Sequence, residues 1–446
     1  MTSQKTREKS KDTPLRVGLA GLGTVGGGVI RVLATHARLI EQRAGRPIQV
    51  TAVSARDRSR KRSVDLSDYA WEDDALALVQ RPDVDVVVEL VGGADGPALT
   101  LARAALAADK PFVTANKAML AHHGLELATL AESRGLPLKY EAAVAGGVPI
   151  IKTLREGMAA NSVSRVAGIL NGTCNYILSR MEAEGLEFAA VLADAQRLGF
   201  AEADPAFDID GVDAAHKLAI LAAIAFGAQP DFTHVETSGI RDVRTADIAQ
   251  AAALGYRVRL VGQAEVDAAG TLLQRVHPTL VPVDHPLAAV TGPLNAVVID
   301  GDFVGRLLLQ GAGAGEGPTA SAVVADLVDI ARGANGPVFA TPVAQLAALP
   351  PAGSLSRSGS FYLRLTVMDR PGVLADLTAA LRDSGVSIES IIQPAPTADD
   401  MALVVMVTHE TTETAVRRAL AAMQEIEAVC GAPLWMPIIA NEGSSE

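Results

Sequence analysis

Cysteine is nearly absent: the 446 residues contain only Cys174 and Cys430. Two thiols so far apart in sequence supply neither a disulfide framework nor a thiolate metal site. Positive charge is scarce as well. With 39 Lys and Arg against 51 Asp and Glu, the formal charge is −12, so no basic surface dominates and no nucleic-acid partner is expected. No apolar run approaches the roughly 20 residues that span a bilayer, so no membrane partner is expected either. The opening "MTSQKTREKSKDTPLR" is polar and basic with no apolar stretch behind it, and does not read as a signal peptide. A cytoplasmic protein is expected. A hydrophobic fraction of 49% with 20% charged residues is unlike a disordered chain, and the length calls for two or three domains.

Residues 1–14 read as a disordered arm. "LRVGLAGLG" (15–23) then reads as a short buried strand ending in glycines, followed by one helix over "TVGGGVIRVLATHARLIEQ" and a strand at 48–55. Apolar runs at 84–93, 111–117 and 136–144 alternate with Ala- and Leu-rich helical segments. The alternation predicts an α/β fold, with a Rossmann-type doubly wound parallel sheet over 15–147. From 148 to 310 the texture changes to longer helices and later strands, an inserted α+β domain. "GAGAGEGPTASAVVADLVDIAR" is a glycine turn feeding a helix, so about 311–345 is expected to return and complete the first domain. A Pro/Gly/Ser-rich linker occupies 346–359. Beyond it, 360–441 reads in βαββαβ order, the ferredoxin-like plan.

Directly after the first strand stands Gly21-Leu22-Gly23-Thr24-Val25-Gly26, a G-x-G-x-x-G that opens a helix. Gly21 permits a tight turn, Gly23 lets a pyrophosphate approach the backbone, and Gly26 allows close helix–strand packing. The helix N-terminus stabilises phosphate charge. An NAD site wants an acid at the end of the second strand, but this chain has "SARDRSRKR", with Arg56, Arg58, Arg60, Lys61 and Arg62. A guanidinium suits a 2′-phosphate, so NADP is favoured with Arg56 the nearest candidate, while Asp57 keeps NAD open. In "TANK", Asn116 and Lys117 follow a strand end, where α/β sheets bind ligands. "YEAAVAGGVPII" (140–151) starts a helix at Pro149 and leaves backbone carbonyls in a glycine turn, suited to a plain turn or to a hard cation.

"GFAEADPAFDIDGVDAAHKL" (199–218) sets Glu202, Asp204, Asp208, Asp210 and Asp213 ahead of one cation, Lys217. A calcium-loop register fails, since Gly211 as the turn glycine would put Ala206 and Lys217 at ligand positions. No His or Cys cluster suggests zinc, and His216 reads as an ordinary helix residue. Asp204 with Pro205 suits a turn. Asp213 and Lys217 form an i, i+4 pair on a helix that runs into unbroken apolar sequence. That helix is expected to be buried, with its polar start lining a cleft. Carboxylates around one lysine suit an amino-acid-like substrate: they pair with its ammonium while the lysine handles a proton or an oxyanion.

Taken together, "GLGTVGGGV", "TANK", "EAAVAGGVPII", "GILNGTCNYILSRM" and "AQRLGFAEADPAFDIDGVDAAHK" resemble the homoserine dehydrogenase family, in the right order and over nearly the whole chain. "DRPGVLADLTAALRDSGVSIESI" resembles an ACT domain, a regulatory module that binds small ligands, commonly amino acids. The resemblance implies NAD(P)-dependent interconversion of L-aspartate 4-semialdehyde and L-homoserine, on the route to threonine and methionine. It implies Lys217 and Lys117 as catalytic lysines, Lys217 giving the proton to the aldehyde oxygen and Lys117 touching substrate and cofactor. Glu202 and Asp213 would hold the substrate ammonium, and Asp208 would stabilise the cluster. Backbone oxygens of Glu141, Val144, Gly146 and Val148 would bind a structural sodium ion, and Gly315 would return to the cofactor. A homodimer or homotetramer is implied, built through 148–310 as the substrate-binding, catalytic and dimerisation domain, as is an amino-acid effector at the ACT domain, with threonine feedback near Gly372. Two rivals are weighed. Phosphorylating aldehyde dehydrogenation would need Cys174 as nucleophile, which sits amid small residues with no histidine near in sequence and reads as structural. A non-catalytic ligand sensor leaves the two lysines unexplained.

Overall fold

The computed structural model describes residues 13–352, 357–393 and 401–440. Most of the expected N-terminal arm and part of the expected linker lie outside them. Among the described residues no helix is long and apolar enough to cross a membrane.

Short runs of Val, Leu and Ile form the first sheet: β1 (Leu15–Ala20), β2 (Ile48–Ser54), β3 (Ala70–Glu72), β4 (Val86–Glu89), β5 (Phe112–Thr114) and β6 (Leu138–Lys139). The strands pair in parallel in the order β3-β2-β1-β4-β5-β6. Val17, Leu19 and Val86 to Val88 are fully buried, as a sheet covered on both faces requires. The order reverses between β1 and β4, so their carboxyl ends open a crevice. Five strands match expectation. β3 does not appear in the sequence reading, because "AWE" is a three-residue edge with no apolar run. The single helix expected after β1 is two, α1 (Thr24–Thr35) and α2 (Ala37–Ala44), because His36 leaves the helical region with φ −113° and ψ 24°. α3 (Ala75–Gln80), α4 (Pro97–Ala107) and α5 (Lys117–Ser133) complete the layer.

The middle of the chain runs through α6 (Ile150–Lys152), β7 (Val163–Ile169), α7 (Gly172–Glu184), α8 (Phe188–Arg197), α9 (Ala206–Ile209) and α10 (Val212–Phe226). It continues through β8 (Glu236–Thr237), α11 (Thr245–Ala253), β9 (Tyr256–Val266), β10 (Leu272–Pro282), β11 (Leu294–Gly301) and β12 (Gly305–Ala312). Its mixed sheet has the order β12-β11-β7-β9-β10-β8. α10 lies against this sheet with Leu218, Ile220 and Leu221 fully buried, which its unbroken apolar sequence demands. α12 (Glu316–Ala331) then returns to the first domain, and Ala320, Val323 and Leu327 share a core with Val29 and Leu33 of α1. Gly28 makes this contact possible: a Cβ there would stand 2.8 Å from Glu316 Cγ.

The last part comprises β13 (Ser358–Gly359), β14 (Phe361–Met368), α13 (Val373–Asp383), β15 (Ile388–Ile392), β16 (Met401–Thr408), β17 (Thr411–Thr412), α14 (Glu413–Gln424) and β18 (Leu434–Pro437). An antiparallel sheet in the order β15-β16-β14-β18 carries α13 and α14, as the ferredoxin-like plan expects. This part is fastened to the mixed sheet. Ile439 N donates to Leu280 O at 3.0 Å, and Arg275 forms ion pairs with both Glu236 and Glu413. Buried Asp247 accepts from Tyr362 Oη at 2.9 Å and from Arg244 N at 2.8 Å. Arg364 Nε lies 2.8 Å from Asp247 Oδ1, close in charge though poorly aligned as a hydrogen bond. Arg364→Ala would leave that carboxylate buried without its cation, at a cost of about 3–5 kcal/mol. Calorimetric unfolding should show the loss, and a cost below about 1 kcal/mol would mean the pair is not holding the seam.

Candidate active site

The nucleotide side of the site begins at the glycines. Gly21 has φ 98°, and a Cβ on it would lie 2.5 Å from Leu90 O. A Cβ on Gly26 would lie 2.1 Å from Gly21 O, so α1 can pack this close only without a side chain. Gly23 has nothing within 4 Å and caps α1 with no side-chain acceptor. Its neighbouring N–H groups are thus left for an anion. Beyond β2, Arg56 is exposed, whereas Arg62 folds back, its Nε donating to Leu22 O at 3.3 Å. The guanidinium groups of Arg58 and Arg62 lie over Trp71 at 5.7 and 5.3 Å. Asp57 is spent on its own turn, accepting from Ser59 Oγ at 2.7 Å and Ser59 N at 2.8 Å. The Ser59 hydroxyl holds the Asp57 carboxyl below the usual range.

The floor is set by two strand ends. Glu89 closes β4 fully buried and accepts from Val91 N (2.6 Å), Gly92 N (2.8 Å) and Thr114 Oγ1 (2.6 Å). It orders both loops at the crevice. The sequence reading passed over it inside an apolar run, although a lone acid within a buried strand is itself a signal. Asn116 accepts from Met119 N at 3.1 Å and donates to Gly93 O at 2.7 Å, capping α5 and placing Lys117 in its first turn.

Lys117 and Lys217 meet at one carboxylate. Lys217, in the second turn of α10, donates to Asp213 Oδ2 and to Leu170 O, both at 2.7 Å. Lys117 Nζ lies 3.1 Å from Asp213 Oδ1. Asn171 donates to Asp213 Oδ2 at 2.9 Å and to Asp208 Oδ1 at 2.8 Å, while its own oxygen caps α7 at Cys174 N. Asp213 is 5% exposed. Burial alone would push its carboxyl up, but Lys217, Lys117 and the hydrogen bonds from Lys217 and Asn171 outweigh it and hold the group well below the usual carboxylate range. Such a depressed group contributes stability that is present in full above the ordinary carboxylate range and is lost progressively as pH falls from that range through its folded pKa. Asp208 shifts the other way: burial first and the Asp213 charge second raise it.

A cleft of about 690 Å³ joins the two sides, lined by Val25, Lys117, Lys217, Glu202, Asn295 and Gly315 among others. Gly315, with φ 119°, sits at the N-terminus of α12. The remaining carboxylates of the acidic stretch do not converge. Asp204 caps Ala206 N at 3.1 Å, and Asp210 pairs with Arg241. Asn295 is a residue that sequence reasoning missed. It is buried, and both its amide atoms are without a partner among the described residues. A lone asparagine in "PLNAVV" gives no periodic or motif signal. His216 packs against His122 and Phe232 in a neighbouring cavity of about 530 Å³ that also borders Lys117. Burial and then His122 push it down to about 4, so it is neutral at pH 7. Cys174 is fully buried and donates to Asp208 O at 3.2 Å. Burial, then the Asp208 charge, raise its thiol well above the ordinary value. It is no nucleophile.

The carbonyl loop offers a different donor set. Among the described residues no cluster of His, Cys, Asp or Glu could hold a metal. Residues 145 and 146 are both left-handed, with φ 54° and 43°. Val144 and Gly146 are buried, and their carbonyls accept no hydrogen bond among the described residues, whereas Val148 O takes Ile150 N at 2.7 Å. Buried carbonyls without donors fit a hard cation such as sodium. Glu141 anchors the loop, its carboxylate accepting from Ile151 N and Lys152 N at 3.0 and 2.9 Å.

The family model for homoserine dehydrogenase matches residues 149–328, that for its NAD-binding domain matches 21–141, and that for the ACT domain matches 361–428. A Pseudomonas aeruginosa homoserine dehydrogenase is 45% identical over 94% of this chain and 97% of its own. The chain belongs to the homoserine dehydrogenase family. It is an oxidoreductase with a nicotinamide-nucleotide-binding domain and a C-terminal ACT domain. A Bacillus subtilis relative is 38% identical over 93% of this chain and 96% of its own. The solved homoserine dehydrogenase of Thiobacillus denitrificans superposes with a TM-score of 0.90 at 44% identity, covering 96% of this chain and 98% of that one. A hyperthermophilic archaeal member solved with NADPH aligns at TM-score 0.60 and 29% identity, over 71% of this chain and 97% of that one.

Asp213→Asn in this dehydrogenase removes the only counter-charge among the described residues that both lysines touch. Leaving Lys217 buried without it should cost about 3–5 kcal/mol and lower kcat together with the melting temperature. An unchanged melting temperature would show that the Leu170 carbonyl holds Lys217 unaided.

Proposed function

We propose that the cleft catalyses the reversible NAD(P)H-dependent reduction of L-aspartate 4-semialdehyde to L-homoserine, with Lys217 as proton donor. The observation that carries the roles is the position of Lys217 and Lys117 on one carboxylate, in the same cleft as Val25 and Gly315. Nicotinamide supplies the hydride when bound. Lys217 spends two of its three N–H donors on Asp213 and Leu170, leaving one for the substrate oxygen. As hydride arrival builds alkoxide charge, that ammonium stabilises it and then protonates it. Glu202 and Asp213 take the substrate ammonium, Asp208 and Asn171 steady Asp213, and Lys117 lies between substrate and cofactor.

The fingerprint Gly21, Leu22, Gly23, Thr24, Val25 and Gly26 binds the nucleotide together with Gly315, and NADP is favoured over NAD. Arg56 is exposed beyond β2 while Asp57 is tied to Ser59, which suits a 2′-phosphate better than a ribose hydroxyl. The NADPH held by the archaeal relative is in keeping with this. Backbone oxygens of Glu141, Val144, Gly146 and Val148 hold a sodium ion. The domains divide at 15–147 with about 311–345, 148–310, a linker at 346–359, and 360–441. The edge strand β12 and its turn carry Phe303, 88% exposed, beside the exposed Val304 and Leu308, an apolar edge suited to a second copy in a homodimer or homotetramer. Threonine acts as feedback inhibitor through the ACT domain, and the enzyme works in the cytoplasm.

The decisive assay follows absorbance at 340 nm with L-homoserine and NADP⁺ or NAD⁺, with and without threonine. Reduced cofactor should appear, faster with NADP⁺, and threonine should slow it. Lys217→Ala should lower kcat by about 10²–10⁴ with cofactor affinity nearly unchanged; a surviving kcat would displace Lys217 as the donor. Replacing sodium by choline at constant ionic strength should lower the melting temperature, and an identical melting curve would remove the ion from this reading.

A further inference from the structure

Asn295, near the start of β11, lines the catalytic cleft. It is 1% exposed, and neither its Nδ2 nor its Oδ1 has a hydrogen-bond partner among the described residues. An amide carries N–H donors and a strong acceptor, and burying them unpaired destabilises the fold. Its seat is nevertheless closely fixed. A Cβ on Gly313 would stand 1.8 Å from Asn295 Oδ1, so the amide lies across the backbone of that glycine. Gly313 in turn rests on the carbonyl loop: a Cβ on Gly146 would stand 2.6 Å from Gly313 O, and Gly147 N donates to Ala312 O at 2.9 Å. On the other side a Cβ on Gly172 would stand 2.6 Å from Pro293 O, which pins the start of β11 to the start of α7. Close approaches that only glycine permits thus hold one unpaired amide in place.

Which group would satisfy it follows from the donors and acceptors on offer. In the proposed reaction the substrate brings an ammonium, which only donates, and a carboxylate and a carbonyl oxygen, which only accept. Each would satisfy one atom of the amide and leave the other buried unpaired, and the ammonium already has Glu202 and Asp213. The nicotinamide ring carries a primary carboxamide, an acceptor oxygen beside an N–H donor. Set against the Asn295 amide, it forms two parallel hydrogen bonds and satisfies both orphaned atoms at once. The position agrees. A dinucleotide whose pyrophosphate lies on Gly21 to Gly26 extends its nicotinamide half over the carboxyl ends of the strands beyond β1. Ala115, Lys117, Ala143 and Gly146, which follow β5 and β6, line the same cleft as Asn295.

We propose that Asn295 binds the carboxamide of the nicotinamide through paired amide hydrogen bonds, and so fixes which face of the ring meets the substrate. The proposal rests on the reading of this cleft as the site of hydride transfer. Turning the ring over about its glycosidic bond carries the carboxamide away from Asn295, so one face alone is presented toward Lys217 while both bonds are kept. An amide kept at this depth destabilises the free enzyme and is matched when the cofactor binds.

The test measures binding, which needs no turnover, by calorimetry on the full-length enzyme and on Asn295→Leu. The ligands are NADP⁺, its 3-acetylpyridine analogue, in which a methyl replaces the amide nitrogen, and 2′-phospho-ADP-ribose, which has no nicotinamide. Asn295→Leu should leave the melting temperature of the free enzyme unchanged or higher. It should weaken NADP⁺ binding by roughly tenfold, as loss of neutral hydrogen bonds does, and leave 2′-phospho-ADP-ribose unaltered. The unmodified enzyme should prefer NADP⁺ to the acetylpyridine analogue, and the variant should lose that preference. A lower melting temperature with all three ligands weakened alike overturns the proposal and makes Asn295 structural. Unchanged NADP⁺ affinity with a raised KM for homoserine overturns it in favour of a substrate contact. If the variant does not fold, the unmodified enzyme decides: equal affinity for NADP⁺ and the analogue overturns the proposal, and a preference for NADP⁺ upholds it. If NADP⁺ binds but homoserine yields no reduced cofactor, the reaction reading fails while the affinity ratios still decide Asn295.

Discussion

Everything at the cleft depends on one buried carboxylate between two ammonium groups. Asp213 is held by Lys217 from its own helix, by Lys117 from the nucleotide domain and by Asn171 from the turn before α7. A carboxylate this deep would be protonated or excluded without those partners. With them it is ionised at every working pH, and each lysine has a fixed counter-charge. The interaction is costly to assemble, since Asp213 and Lys217 leave water together and Lys117 does so in part. The unbroken apolar remainder of α10 supplies the burial that offsets this cost: Leu218, Ile220 and Leu221 pack against the mixed sheet and fix the helix that presents Lys217.

The same carboxylate ties two domains electrostatically. Lys117 stands on α5, whose start is set by Asn116 reaching Gly93 after β4. Glu89 orders that loop from below. Any change in the loops at the carboxyl ends of β4 and β5 is therefore felt at Asp213 through Lys117. Positioning of this kind uses elements fixed by packing, and only the last side-chain bonds are free to change.

Much of this was legible in the sequence. The parallel sheet, the ferredoxin-like C-terminal plan and the glycine fingerprint each rest on a repeating apolar period or on glycines whose Cβ would collide, and such signals are local. Gly26 is an example, because only its lack of a side chain lets α1 approach Gly21. The pair Asp213 and Lys217 was legible for the same reason, being one helical turn apart. What could not be read were the long-range partners. Asn171 acts through Asp208 and Asp213, distant in sequence, and looks ordinary in its own stretch, as does Asn295 where it lines the cleft. The acidic stretch also misleads by density: Asp204 and Asp210 share its composition but serve a turn and a surface pair with Arg241. β3 and the break at His36 escaped because three edge residues and one off-helix torsion leave no trace in hydrophobic period.

The two lysines are not equivalent, and the difference assigns them different freedom. Lys217 is 10% exposed and is bonded on two sides, to Asp213 and to the Leu170 carbonyl, whereas Lys117 is 31% exposed and is held by Asp213 at the longer distance of 3.1 Å. A substrate ammonium entering beside Asp213 competes with whichever lysine is more weakly held, and that is Lys117. In the proposed reaction, substrate binding would then exchange one cation for another at the carboxylate without unseating the proton donor. Lys117 would be released toward the cofactor side of the cleft, where Val25 and Gly315 lie. The charge of the site is thus conserved as the substrate arrives, and Lys217 keeps the backbone anchor that fixes its direction. A donor anchored only by carboxylates would lack this property, since every incoming ammonium could displace it.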